Sequence, residues 1–277
     1  MKLKVSILLT ILVSVSTTAF GQEKPVKTTT VPNQPADVKK LEVKVPDVKA
    51  EIKPSAAVKL PTVAEILAKY VKAIGGKEAN EKIKSRMMKG TIELAPVGVK
   101  GTFETYSAAP SKSILRMNLS GVGEFVEAFD GTTAWAVNPV QGSRDKTGDE
   151  LAQNKLTYNF YRETNLDKLY PKMEVKGIEK VGASDAYVVV GTVENLPSDT
   201  FYFDVQSGLL VRQDRTSITP EGKTPMQTFY EDYRDVDGAK VSFKLRAVLP
   251  QFEVISVVTE IKNNVPVDDA KFAKPKE

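Results

Sequence analysis

The chain has 277 residues, 41% of them hydrophobic, with 39 Lys and Arg against 35 Asp and Glu, a formal net charge of +4, and neither histidine nor cysteine. These counts exclude Ser-His-Asp and Cys-His catalysis, His- or Cys-based zinc sites and any disulfide, so a domain of this size has to stand on its hydrophobic core. Residues 62–277 carry 29 basic and 30 acidic side chains, a balance that argues against a nucleic-acid footprint on the folded part.

The N-terminus reads as an export signal over residues 1–21. Lys2 and Lys4 precede an apolar run from Val5 to Val15, and Ala19-Phe20-Gly21 supplies small residues at cleavage spacing. That run has 11 residues, short of the ~20 that span a bilayer as a helix, and no later apolar run is longer. The expectation is a protein of the periplasm or the medium, not integral to a membrane. It should carry no lipid of its own at the mature N-terminus, because lipidation there needs a Cys. Residues 22–61 hold six prolines and eight lysines without one aromatic or glycine. So few large apolar groups cannot offset the entropy of ordering, and the stretch reads as a disordered Lys/Pro-rich spacer.

A single domain is expected over 62–277. It opens with "PTVAEILAKYVKAIGG", where Thr62 and Glu65 make a capping box, Val63, Ile66, Leu67, Tyr70, Val71 and Ile74 form one helical stripe, and Gly75-Gly76 stop the helix. A short helical piece over 77–85 follows. The period then changes to two, giving strands at 86–94, 98–107, 112–119, 123–129 and 132–138. A second helical block starts at Thr147, with a capping box to Glu150, and runs through "LAQNKLTYNFYRET" to about Leu169 before Pro171. Strands resume at 172–179, 185–193, 199–204, 208–216, 225–233, 239–249 and 252–263. Twelve short strands with hairpin-length links predict one antiparallel sheet too wide to stay flat, which curls into a barrel or half-barrel.

One hairpin matters for function. In "FDGTTAWAVNP" a two-residue Asp130-Gly131 turn would pair Phe129 with Thr132 and set Trp135, the only tryptophan, opposite Val126. Both faces of this hairpin are then partly apolar, and the two helical blocks can shield only part of a large curved sheet.

Other motifs carry little chemistry. "EGKTP" lacks the upstream glycine of a phosphate loop, since Ser217 stands there, and "DYRDVDGAK" reads as a hairpin turn at Asp237-Gly238 rather than a calcium loop. Glu124 with Glu127, or Glu231 with Asp232, are the acid pairs on which glycan hydrolysis would have to rest. Most such acids are solvated or paired with lysine, and no catalytic residue, metal ligand or cofactor is assigned.

Several phrases in order carry a resemblance: the amphipathic helix ahead of the sheet, "FDGTTAWAVNP", "TFYFDVQSGLLVRQD", "YRDVDGAKVSFKLR" and the closing "NNVPVDDAKF". Together, over about residues 62 to 273, the chain resembles the periplasmic lipoprotein-carrier superfamily, the LolA/LolB-like fold shared with RseB-type sensor domains. The resemblance implies an α+β, mainly β architecture: an unclosed antiparallel half-barrel with helices over its concave face, around a hydrophobic cavity that accepts acyl chains. It implies an apolar lining of Leu115, Met117, Val241, Phe243 and Leu245, with Trp135 part of that lining or of the core next to it. Val126, opposite Trp135, and Phe160, in the aromatic run of the second helical block, complete the expected lining. The function expected is non-enzymatic binding of a lipid, a lipidated protein or another amphipathic ligand by a monomer. The alternative is an envelope sensor that recognises a protein partner.

Overall fold

A computed structural model describes residues 59–275; the expected export signal at 1–21 and all but the last three residues of the expected 22–61 spacer lie outside the described residues. Helix α1 (Val63–Ala73) begins where expected. Thr62 accepts from the Glu65 amide at 3.2 Å, and Glu65 returns the bond to the Thr62 amide at 2.7 Å. Gly75, at φ 103°, turns the chain into α2 (Gly76–Lys82). A Cβ at Gly75 would stand 2.0 Å from the Gly238 carbonyl oxygen, so this corner docks on a later hairpin only as glycine.

Six strands follow: β1 (Ser85–Ala95), β2 (Val99–Ala108), β3 (Lys112–Leu119), β4 (Gly123–Phe129), β5 (Ala134–Asn138) and β6 (Gly142–Lys146). The chain crosses over through α3 (Gly148–Thr157), a 3-10 turn (Arg162–Thr164) and α4 (Leu166–Leu169). It returns through β7 (Lys172–Val181), β8 (Ser184–Thr192), β9 (Asp199–Asp204), β10 (Leu210–Thr219), β11 (Gly222–Val236), β12 (Ala239–Val248) and β13 (Glu253–Asn263). A last 3-10 turn spans Asp269–Phe272.

All thirteen strands form one antiparallel sheet in the order β6-β5-β4-β3-β2-β1-β13-β12-β11-β10-β9-β8-β7. Two meanders therefore meet where the first strand pairs with the last, and β6 and β7 are the free edges. The sheet is a half-barrel. The β5–β6 turn and the β10–β11 turn are eight strand spacings apart, about 38 Å if flat, yet Gln141 donates to Glu221 across them at 2.8 Å. Helix α3 spans the same gap, with Gln153 donating to the Thr216 carbonyl at 2.7 Å.

Alternation sorts the strands between the concave face under the helices and the convex face. On the concave side Gly90, Ile92 and Leu94 of β1 stand opposite Phe103, Gly101 and Val99 of β2, and Phe103 stands opposite Met117 of β3. Gly90 is what lets the Phe103 ring lie against β1: a Cβ there would sit 2.5 Å from the ring edge. These residues, with Leu119, Phe125, Phe243 and Val258, make the central core.

Three expectations are corrected. Strand β6, "GSRDK", is a thirteenth strand that hydrophobic periodicity could not flag, since it has no apolar residue. The hairpin after β4 is a four-residue loop, 130–133, because the Asp130 carboxylate accepts the Thr132 and Thr133 amides at 2.8 and 2.7 Å. Trp135 therefore pairs with Ala128, and Val126 with Val137. The second helical block is broken after Thr157. The Asn159 side chain accepts the Tyr161 amide at 3.1 Å, the Phe160 amide donates to the Pro110 carbonyl at 2.9 Å, and "TYNFYRET" becomes turns. The Thr147 capping bond does not form, since Glu150 is drawn to Arg144.

Candidate functional site

Two helical covers close the concave face, and each is fastened by a buried polar network. Helix α1 turns Ile66, Leu67, Tyr70 and Ile74 toward Val189, Phe201, Phe203 and Leu210. The Tyr70 and Phe203 rings are 5.1 Å apart. Under this cover Tyr170 donates to Asp199 at 2.6 Å, Gln213 donates to Asp199 at 2.9 Å, and Arg162 and Tyr230 both donate to Gln213, at 3.2 and 3.1 Å. Tyr70 donates to Glu163, which also accepts from Arg162 at 2.8 Å. Burial, then the nearby Glu163 carboxylate, pushes the Tyr70 hydroxyl well above the ordinary tyrosine value. Burial likewise raises Tyr170 and Tyr230 to about 12, although Arg162 opposes it in both.

At the other end α3 covers β4, β5 and β6. Arg144 makes a two-pronged pair with Glu150, at 2.7 and 2.8 Å. Lys146, its side chain only 5% exposed, donates to Glu127 at 2.9 Å. Tyr158 donates to the same carboxylate at 3.3 Å and stacks on Phe129 with centroids 6.0 Å apart. The attraction of Lys146 outweighs burial and holds Glu127 below the usual carboxylate range.

Between the two covers the concave side is not filled. One space of about 260 Å³ lies beneath α1, walled by Tyr70, Ile74, Tyr230, Tyr233, Val241 and Leu245. A second of about 170 Å³ lies beneath the 157–164 segment, walled by Ile83, Ser107, Ser113, Tyr158, Phe160 and Tyr161. Arg86, Met88, Asn80 and Glu163 border both, so the two spaces adjoin. Arg86 and Met88 hold alternate concave-side positions of β1, opposite Ser107 and Thr105. Nε of Arg86 donates to the Asn263 side chain at 2.8 Å, and Asn263 in turn donates to Asp237 at 2.9 Å. Burial pulls the Arg86 pKa below the ordinary arginine value, with Asp237 opposing it. Outside these spaces a groove of about 790 Å³ runs between α1 and residues 163–173, with Leu67, Val71, Leu166 and Met173 on its floor and Lys72, Lys77 and Lys168 beside it.

The expected lining residues fall into three places. Val241, Leu245 and Phe160 wall the inner spaces. Leu115, Met117 and Phe243 belong to the central core. Val126 and Trp135 do not reach the concave side: Ala134 and Ala136 take its positions on β5, so alternation turns Trp135 to the convex face with Ile114, Val126 and Ala128. There Phe272, itself 0% exposed, closes over it, and the indole N–H donates to the Phe272 carbonyl at 2.9 Å. Trp135 is core. Arg86, Met88, Tyr70, Tyr230 and Tyr233 were missed as wall residues; the usable signal was a charged residue in step with the apolar alternation of β1.

The acid pairs are each committed elsewhere. Glu124 pairs with Arg116, and Glu127, on the opposite face of β4, pairs with Lys146. Glu231 pairs with Lys244, and Asp232 with Arg234. No helix among the described residues is long and apolar enough to cross a membrane.

This curled sheet with helices over its hollow has counterparts among solved structures. The chain is similar to a LolA superfamily protein from Nitrosomonas europaea, with TM-score 0.51 and 13% identity over 78% of this chain and 99% of that one. It is equally similar to a DUF1329 family protein from Desulfovibrio piger, with TM-score 0.51 and 14% identity over 76% of this chain and 97% of that one. These likenesses are of fold. The sequence matches no family model and no curated protein.

Proposed function

We propose that the chain is an exported envelope protein that binds a lipid, the acyl chain of a lipidated protein or another amphipathic ligand inside its half-barrel, without catalysing a reaction. One observation carries this reading: the adjoining spaces beneath α1 and the 157–164 segment that its own side chains leave open. Singly they fall below the roughly 300–1,000 Å³ of small-molecule sites, and jointly they come within it. Each methylene moved there from water contributes about 0.8 kcal/mol, which asks for dryness and shape but no reactive group. The LolA-superfamily fold supports the same reading.

Native mass spectrometry of protein purified without detergent should show acyl-bearing adducts, and a fluorescent fatty acid should bind and be displaced by unlabelled alkyl chains. Met88→Trp, which fills the junction of the two spaces, should abolish uptake. A clean apo mass together with no probe binding refutes the proposal.

A second reading, an envelope module that recognises a protein, draws on the groove along α1. Val71→Arg would then cost partner recognition while leaving probe uptake intact.

A further inference from the structure

We infer that the inner space takes a single-chain amphiphile with an anionic head, a carboxylate or a phosphate, and that the head sits on Arg86; this rests on the reading of that space as a ligand site. The inner space has two unlike ends. Beneath α1 the walls are Ile74, Val241, Leu245 and tyrosine rings. Beneath the 157–164 segment hydroxyls and amides stand among Ile83, Phe160 and the Tyr158 and Tyr161 rings, including the Ser107 and Ser113 side chains, 3.1 Å from each other. Arg86 and Met88 stand where the two ends meet.

The charges bordering the space do not balance. Glu163 is engaged by Arg162 at 2.8 Å and by Tyr70, and Lys240 is engaged by Asp235 at 3.0 Å. Arg86 differs. Its one hydrogen bond goes to a neutral amide, and Asp237 is met only through that amide. The bond uses Nε, which leaves both terminal nitrogens of the guanidinium fork for a ligand. That fork matches the spacing of two oxygens on a carboxylate or phosphate. A guanidinium drawn partly out of water with no carboxylate bonded to it is costly, and an anion supplied by a ligand would relieve that cost.

The second argument is size. Neither part of the space exceeds about 260 Å³, which suits one alkyl chain beside Met88 and Leu245 rather than a lipid with several.

The test measures binding of dodecanoate, dodecyl phosphate, dodecanol and inorganic phosphate by calorimetry to the whole secreted chain, as wild type and as Arg86→Gln and Arg86→Lys. The two anionic chains are expected to bind at least about tenfold more tightly than dodecanol, the scale of one charge-assisted pair. Arg86→Gln should erase that difference and leave dodecanol affinity unchanged, and Arg86→Lys should restore part of it. Acidifying until dodecanoate is neutral should remove its advantage in the wild type, a readout that survives if a variant fails to fold. Comparing the two anionic chains shows which head is preferred, and inorganic phosphate shows whether a free anion suffices.

Equal affinity for dodecanol and the anionic chains, or a preference that persists in Arg86→Gln, overturns the inference while the amphiphile reading stands. Arg86-dependent binding of phosphate without uptake of any alkyl chain upholds the anion site and overturns the amphiphile reading. Binding of none of the four overturns both.

Discussion

The two covers of the half-barrel do the same work with opposite chemistry. Helix α1 lies on aromatic and aliphatic side chains and adds a network of tyrosine, glutamine and carboxylate beneath them. Helix α3 buries Glu150, Gln153 and Asn154 and is fastened by the ion pairs of Glu150 with Arg144 and Lys146 on β6, where Lys146 also pairs with Glu127 of β4. An apolar cover draws its strength from area removed from water. An ionic cover draws it from geometry, and fails when one partner is lost. The lesson is that the α1 end should resist acid and the α3 end should resist losing a methyl group.

The largest effect should come from emptying the apolar end. Phe201→Ala removes a ring that is 0% exposed and stacked at 6.2 Å on Phe203. It should cost about 3–5 kcal/mol in urea unfolding, and a loss below 1 kcal/mol would deny that this cover rests on packing. Next, Lys146→Met strands Glu127 under α3 and should cost about 3 kcal/mol. Adding Glu127→Leu should return much of that, since the remaining pair is apolar; no recovery in the double variant would mean the two residues do not act as a pair.

A pH series sharpens the contrast further. Glu127 has its folded pKa depressed, so its contribution is present above the unfolded value near 4.3 and lost as the pH falls through the folded value. The α3 end should loosen on that acid side, seen as faster hydrogen exchange in β5 and β6. Raised tyrosines behave oppositely. Tyr170 and Tyr230, at about 12 when folded, contribute below the unfolded value near 10 and lose that contribution as the pH rises toward 12. Four raised tyrosines, 70, 170, 230 and 233, lie at the α1 end against Tyr158 at the other. Alkali should therefore loosen α1 first; exchange that rises first under α3 would contradict the assignment. The smallest effect is expected from Tyr70→Phe, which removes one hydrogen bond to Glu163 and should cost about 1 kcal/mol by thermal or urea unfolding.

The sheet itself was legible because its strands alternate, as in β12, and because Asp-Gly pairs at 130–131 and 237–238 punctuate them. What failed was local polar chemistry. The Asp130 carboxylate lengthened its turn by capping two amides, and the shift of two residues preserved the faces while changing every partner. Strand β6 has no hydrophobic pattern because it is an edge whose concave side carries Arg144 and Lys146. The site was less legible still. Alternation puts Val241 and Leu245 on one face, while only the resemblance made that face a lining, and Trp135 stayed between lining and core because apolar content on both faces gives no direction. That direction came from Phe272, 137 residues on, which no local pattern announces. Arg86 was passed over because a basic residue in a strand is by default a solvated one.

The pairing of the first strand with the last bears on how the chain is made. Along its length, from Arg86 to Ala95, β1 takes its second neighbour from residues 253–263, so a chain emerging N-terminus first exposes that ladder until those residues have been made. Such distant pairing is slow to form and leaves an adhesive margin in the meantime. Because Phe272 then caps the tryptophan, a product that stops before Phe272 lacks this seal. The architecture thus rewards only a polypeptide that extends through Phe272, and a helper that shields nascent β1 would raise the yield of native protein more than one acting on any other strand.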